Sequence, residues 1–182
     1  MKAPFAYFGG KMGMAHEIVR LMPPHRVYIE PFFGSGAVFF AKPPAAHDII
    51  NDIDGRVVAF FRMLRDRRED LEHVCSLSPN ARDEYLAARA TDDGVDDLEK
   101  ARRFWVSVNQ SFASTANAET GWAVTVARNT SVPASTLSRI GRFAACAERL
   151  MNVAIENADA VDLIERLAKS DDTVIYADPP YL

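Results

Sequence analysis

Residues 26–36 read Arg-Val-Tyr-Ile-Glu-Pro-Phe-Phe-Gly-Ser-Gly. The first half is β-branched and aromatic, the signature of a strand. Gly34 and Gly36 then turn the chain into the short apolar stretch Ala-Val-Phe-Phe-Ala at 37–41, which reads as a turn of helix. A strand that hands over to a helix through glycines opens a layered α/β structure. The remaining pattern continues it. Further strands are expected at 47–52, 152–156 and 173–177, and helices at 15–22, 55–74, 81–90, 97–112, from Ser135 to about Met151, and at 162–169. This alternation predicts an α/β fold with a mostly parallel, Rossmann-like sheet. Residues 57–134 interrupt it as a helical and loop insertion, rich in Ser, Thr and Asn over 113–134. The main domain is then built from 1–56 and 135–182.

Charge bears on what this fold can meet. The 182 residues carry a formal net charge of −4, which taken as an average argues against a polyanionic partner. The average hides segments of opposite sign: +3 over 1–47, −7 over 48–99, +5 over 100–149 and −5 over 150–182. A polyanion responds to local potential, so the basic segment can grip phosphates inside an acidic chain. A solvated helix face is the equally weighted alternative. No apolar run is long enough to span a membrane, and residues 1–13 lack the apolar core of a signal peptide. Cys75 and Cys146 suit no zinc or redox spacing. They read as buried apolar residues in a reducing cytoplasm, and no metal site is expected.

Three features carry chemistry. Glycines at 34 and 36 allow a ligand close to the backbone, although tight packing alone also demands glycine there. The second strand ends in Asn51-Asp52-Ile53-Asp54. A carboxylate at that strand end can accept hydrogen bonds from ribose hydroxyls. Asp54 fits the cap of the following helix, which leaves Asp52 for a ligand. Glu30 would crowd a pyrophosphate with negative charge, and no full Gly-x-Gly-x-x-Gly is present. The turn therefore favours a nucleoside without phosphates over a dinucleotide.

The third feature is Asp178-Pro179-Pro180-Tyr181, directly after an apolar strand. The prolines end the ladder and stiffen the turn. One carboxylate, the Pro179 carbonyl and one aromatic face are fixed together. Those parts suit a planar base with an exocyclic amine. Asp178 and the Pro179 carbonyl accept its two N–H bonds, Tyr181 stacks on the ring, and the nitrogen lone pair is aimed at an electrophile. A base in a duplex reaches such a pocket only when flipped out.

The order of these elements resembles the adenine-N6 DNA methyltransferases of the DNA adenine methylase type, the alpha group or D12 class. Tyr7-Phe8-Gly9-Gly10-Lys11 matches the family's N-terminal element, followed by Glu30–Gly36, Asn51–Ile53, an insertion, and Asp178–Tyr181. Asn109-Gln110-Ser111-Phe112 and Gly121-Trp122 match segments of its recognition region. The resemblance implies S-adenosyl-L-methionine as methyl donor and double-stranded DNA as partner. It places Tyr7, Gly10 and Lys11 in the cofactor site. It assigns Glu30, Gly34 and Gly36 to the methionine end, Pro31 and Phe32 to the cofactor site, and Asp52 to the ribose. Asp159 is implied near the cofactor adenine, a helix cap being its structural alternative. Asp178, Pro179, Pro180 and Tyr181 would hold the target adenine, with Asp178 also bordering the cofactor.

Arg102, Arg103, Asn109, Gln110 and Arg128 fall where DNA contacts belong, since Asn, Gln and Arg suit base edges and phosphates. Trp105 and Phe104 are expected in the core. The chain stops one residue after Tyr181, where the family continues its sheet, so a fragment is expected whose own turnover is in doubt. An N4-cytosine or RNA-base amine methyltransferase uses the same Asp-Pro-Pro-Tyr chemistry and stands as the enzyme alternative. A silent DNA- or cofactor-binding remnant is the non-enzyme alternative.

Overall fold

The structure is a computed structural model that describes residues 1–90, 94–111, 121–123 and 132–180. The elements run α1 (Ala15–Leu21), β1 (Val27–Glu30), α2 (Ala37–Ala41), β2 (His47–Asn51), α3 (Gly55–Asp66), α4 (Arg68–Leu77), α5 (Arg82–Ala88), α6 (Asp97–Gln110), α7 (Val132–Ile140), α8 (Phe143–Leu150), β3 (Val153–Glu156), α9 (Ala160–Leu167) and β4 (Thr173–Ile175). The four strands form one parallel sheet in the order β3-β2-β1-β4. Val27 is in register with His47 on one side and with Thr173 on the other. The chain thus lays down β2 and β3 on one flank of β1, then returns to place β4 on the opposite flank. The α/β fold and the parallel sheet expected from the sequence are both present.

Buried aromatics join the sheet to the helices that follow β2. Phe33, just after β1, meets Phe61 of α3 edge-on at 4.7 Å. Phe60 of α3 touches Phe5 at 5.1 Å and stacks on Trp105 of α6 at 5.9 Å. Trp105 in turn meets Phe143 of α8 at 5.0 Å. Such ring pairs add about 0.5–1.5 kcal/mol each beyond the burial of their area. Phe104 and Trp105 are core residues, as expected.

Two long helices read from the periodicity are each divided. The helix expected over 55–74 breaks at Arg67, whose φ of −138° and ψ of 48° leave the helical region. Beyond the break, α4 turns Leu71 and Cys75 into the core. The helix expected from Ser135 to about Met151 begins earlier, at Val132, and is interrupted at Gly141-Arg142 before α8. Trp122 of the Ser/Thr/Asn-rich stretch forms an isolated antiparallel bridge with Ser111, just after α6. Residues 112–120 and 124–131 lie outside the described residues.

Behind the sheet lies a buried charge cluster. Asp48 of β2 accepts from Lys42 Nζ at 2.7 Å and from Arg149 Nη2 of α8 at 2.7 Å. A single buried carboxylate flanked by two cations is compensated, whereas losing one partner strands the others in low dielectric. Cys75 and Cys146 are free and buried, and burial pushes the Cys146 thiol up to about 12. Among the described residues, no helix is long and apolar enough to cross a membrane.

Candidate active site

The reversal of strand order falls between β1 and β4, and a crevice opens at the carboxyl ends of those two strands. Ligands of open α/β sheets bind at such a point. Here the crevice is a cavity of about 310 Å³ walled by the N-terminal element, the turn after β1, the end of β2 and the segment after β4. Tyr7, Gly10, Lys11, Glu30, Phe32, Gly34, Asp52, Asp178, Pro179 and Pro180 all line it. These ten residues, each expected in the site from the sequence, come from four separate stretches of chain.

The turn after β1 is held open by its glycines. Gly34 and Gly36 have φ of +49° and +67°, in the left-handed region that side chains disfavour. A Cβ at Gly36 would lie 2.3 Å from the Phe33 ring, so Gly36 serves the packing of the turn. A Cβ at Gly34 would instead press on the Tyr7 ring at 3.1 Å, on the cavity wall. Gly36 and Pro31 do not line the cavity. The Pro31 carbonyl accepts from Asn51 Nδ2 at 2.9 Å, and Asn51 also pairs with the backbone of Ala158 in both directions. One buried amide thus ties the carboxyl ends of β1, β2 and β3 together.

Glu30 is only 2% exposed although it borders the cavity. Its Oε2 accepts from the Tyr28 hydroxyl at 2.6 Å. Burial pushes its carboxyl up to about 8, against the opposing effect of Tyr28 and, more weakly, of Lys42. Asp52 Oδ2 accepts from the Gly34 amide at 2.8 Å, and its Oδ1 accepts from the Asp54 amide at 2.9 Å. The carboxylate therefore fixes the glycine turn while facing the cavity. Burial raises its pKa, and the backbone donors partly offset this. Asp54 accepts from the Arg56 amide at 2.9 Å and caps α3, as expected.

Lys11 reaches across to the segment after β4. Its Nζ lies 2.8 Å and 2.7 Å from the two carboxylate oxygens of Asp178. It also donates to the Gly9 carbonyl at 3.0 Å. Tyr7 is half-buried, and burial, with Asp54 and Asp52 nearby, pushes its hydroxyl up to about 12. Two apolar residues on the rim were not singled out from the sequence: Phe8 and Ile53, 69% and 70% exposed, both line the cavity. Their neighbours in the motifs were the only signal available. Tyr181 lies outside the described residues.

The other expected site residues are placed elsewhere. Asp159 caps α9, accepting from the amides of Val161 at 2.8 Å and Asp162 at 3.3 Å, and does not line the cavity. Arg102 sits in an ion-pair cluster with Glu99 and Glu84, and Arg103 pairs with Glu99 at 2.9 Å. The two arginines hold the Glu99 carboxyl down at about 2. Asn109 is buried, donating to the Trp105 carbonyl at 2.8 Å and accepting from Arg139. Gln110 donates to the Pro79 carbonyl at 2.9 Å and accepts from the Trp122 indole at 3.2 Å. All four side chains make contacts within the protein: Arg103 pairs inside α6, while Arg102, Asn109 and Gln110 also bond to neighbouring segments. Arg128 lies outside the described residues. No group of three or more potential metal ligands occurs among the described residues.

The family of D12 class N6 adenine-specific DNA methyltransferases matches residues 7–182. Among curated proteins, the chain is 33% identical over 105 residues to the DNA N-6-adenine-methyltransferase of Escherichia phage P1, covering 55% of this chain and 14% of that protein. It is 30% identical over 118 residues to the Type II methyltransferase M1.LlaDCHI of Lactococcus lactis subsp. cremoris, covering 60% of this chain and 41% of that protein. The chain thus matches less than half the length of either relative. With its parallel sheet, its acidic crevice at the strand-order reversal and a match from Tyr7 onward, the chain belongs to the D12 class N6 adenine-specific DNA methyltransferase family.

Proposed function

We propose that this chain transfers a methyl group from S-adenosyl-L-methionine to the N6 amine of an adenine flipped out of double-stranded DNA. The observation that carries the reading is the placement of Asp178, held by Lys11 at the edge of the crevice that also contains Glu30 and Asp52.

The crevice suits such a methyl donor. Its wall carries four acidic side chains, Glu30, Asp52, Asp54 and Asp178, of which Glu30 gives up its proton most reluctantly, against the single cation Lys11 among the described lining residues. That charge favours a cationic nucleoside and repels a pyrophosphate. Glu30 and the Gly34 backbone are suited to the amino-acid end, Asp52 to the ribose hydroxyls, and Tyr7, Phe32 and Ile53 to apolar surface. When bound, the donor supplies an electrophilic methyl group on a sulfonium centre.

The protein's contribution is positioning and electrostatics. Asp178 Oδ and the Pro179 carbonyl accept the two hydrogens of the adenine amine, which aims its lone pair away from the ring. The nitrogen would gain the methyl carbon as the carbon–sulfur bond breaks and its electron pair stays on sulfur as a neutral thioether, and one amine hydrogen would leave as a proton to solvent. Pro179 and Pro180 fix the acceptors, and Tyr181 is assigned to stack on the base. The chemistry as drawn calls for no metal. Residues 57–134 are assigned as the target-recognition insertion, with Arg128 among its candidate DNA contacts. We assign the chain a cytoplasmic site of action in a bacterial or phage context, a reading supported by relatives from a phage and a bacterium.

The test is incubation of the protein with methyl-labelled S-adenosylmethionine and duplex DNA. Label that becomes fixed in the DNA supports the reading. DNA that stays unlabelled although both ligands bind sinks it.

A further inference from the structure

Tyr28 has no role in any motif, yet it is buried two residues before Glu30 on the same face of β1. Its hydroxyl is 2.6 Å from Glu30 Oε2. The Lys42 ammonium lies 4.3 Å from the centre of its ring, and that ammonium is itself paired with Asp48 at 2.7 Å. Asp48 is anchored by Arg149 of α8. A continuous chain of contacts therefore runs from Arg149 of α8 through Asp48, Lys42 and Tyr28 to the Glu30 carboxyl group that lines the crevice.

We propose that Tyr28 is a positioning residue for cofactor binding: its hydroxyl, backed by Lys42, holds Glu30 so that the carboxylate meets the α-ammonium of the bound cofactor. This rests on the reading of Glu30 as the acceptor for that ammonium. The physical need is clear from the surroundings of Glu30. Burial disfavours its charge, and Asp178 after β4 disfavours it further. Tyr28 on β1, the backbone of Phe39 on α2 and Lys42 after α2 all favour it. A hydroxyl donor at 2.6 Å stabilises the ionised form most directly, because hydrogen bonds to charged acceptors are the stronger kind. Without that donor, an ammonium entering the crevice must first drive a more reluctant carboxyl to ionise.

Tyr28→Phe removes the hydroxyl and keeps the ring under Lys42. The probes are S-adenosylhomocysteine, which carries the α-ammonium, and 5′-methylthioadenosine, which shares the nucleoside and sulfur but has no amino-acid end. Calorimetric titration of Tyr28→Phe is expected to show S-adenosylhomocysteine weakened by about tenfold or more. Methylthioadenosine should stay within twofold of the unsubstituted protein. In a Glu30→Gln background, Tyr28→Phe should cause no further loss. The carboxyl ¹³C signal of Glu30, followed against pH without ligand, should move its midpoint upward from about 8 in Tyr28→Phe. Equal weakening of both probes, unchanged S-adenosylhomocysteine affinity or an unmoved midpoint overturns the role of Tyr28. Failure of the unsubstituted protein to bind either probe instead overturns the cofactor reading itself, and this inference with it. Should Tyr28→Phe fail to fold, 3-fluorotyrosine at position 28 offers a more acidic donor in nearly the same shape. It is expected to lower the Glu30 midpoint, and no movement overturns the proposal.

Discussion

Lys11 and Asp178, 167 residues apart in sequence, are joined by contacts of 2.7 Å and 2.8 Å from one ammonium to both carboxylate oxygens. The N-terminal element is thereby closed over the segment that follows β4. Asp178 keeps about a fifth of its side chain exposed, so this is a partly screened pair. Such pairs contribute about 0–1 kcal/mol to stability. Lys11→Met is therefore expected to shift the melting temperature little, while lowering the methyl-transfer rate by an order of magnitude or more as Asp178 loses its orientation. A rate within twofold of the parent protein would remove Lys11 from the site.

Asp178→Ala deletes one of the two acceptors assigned to the target amine. Methyl transfer should fall below detection, with S-adenosylmethionine affinity largely retained in a binding titration. Retained turnover would refute the role of Asp178.

Asp52 has two tasks, holding the Gly34 and Asp54 amides and facing the crevice. Asp52→Ala should weaken cofactor binding by about 1.5–3 kcal/mol, the scale of hydrogen bonds to a charged group. Because two backbone donors lose their acceptor, stability should also drop, by about 1–3 kcal/mol for each donor that stays buried and unpaired. Calorimetric titration and urea unfolding separate the two effects. A stability loss with unaltered affinity would leave Asp52 as a purely structural staple.

Gly36→Ala places a Cβ 2.3 Å from the Phe33 ring at a φ of +67°. Left-handed backbone strain costs about 1–3 kcal/mol, and the displaced ring adds to it. Thermal unfolding should therefore shift clearly downward. An unchanged midpoint would show that the turn is not held in this conformation.

Glu30 gives stability a pH dependence of definite sign. Its folded pKa of about 8 lies above its ordinary value of 4.5. Between those values the unfolded chain has released the proton that the folded chain retains. Relative to Glu30→Gln, the parent protein should therefore lose stability progressively as pH rises from about 4.5 to about 8. The Glu99 carboxyl, held down at about 2 by Arg102 and Arg103, acts in a different window, its stabilisation being lost as pH falls below its ordinary 4.5. Urea unfolding of both proteins at several pH values reads the difference. Parallel pH profiles would contradict a buried, reluctant Glu30.

The sequence showed the sheet because strands and glycines are local signals. The run 26–33, the Gly34 turn and the strand before Asp178 were legible from residue types alone. Their convergence on one crevice was legible only through the order of motifs. What periodicity did not show was interruption. Arg67 and Arg142 carry no sequence signal of a helix break, and Gly141 alone did not divide α7 from α8. The surroundings of the basic segment were hidden for a related reason. Counting charge registers Arg102 and Arg103 but not the acidic partners folded against them, since Glu84 is 18 residues away from Arg102. Asn109 and Gln110 have the chemistry to read base edges, and equally the chemistry to satisfy buried carbonyls; both are buried here and make bonds of the second kind. Tyr28 could have been found from the strand's period of two, which puts it beside Glu30.

The most direct measurement is the identity of the nucleoside that carries the label after reaction of duplex DNA with methyl-labelled S-adenosylmethionine. Digestion and chromatography should recover the label as N6-methyladenine, and Asp178→Ala should abolish that peak. Label recovered as N4-methylcytosine, or in N6-methyladenine undiminished by Asp178→Ala, would contradict the assignment of this crevice to adenine N6 methylation.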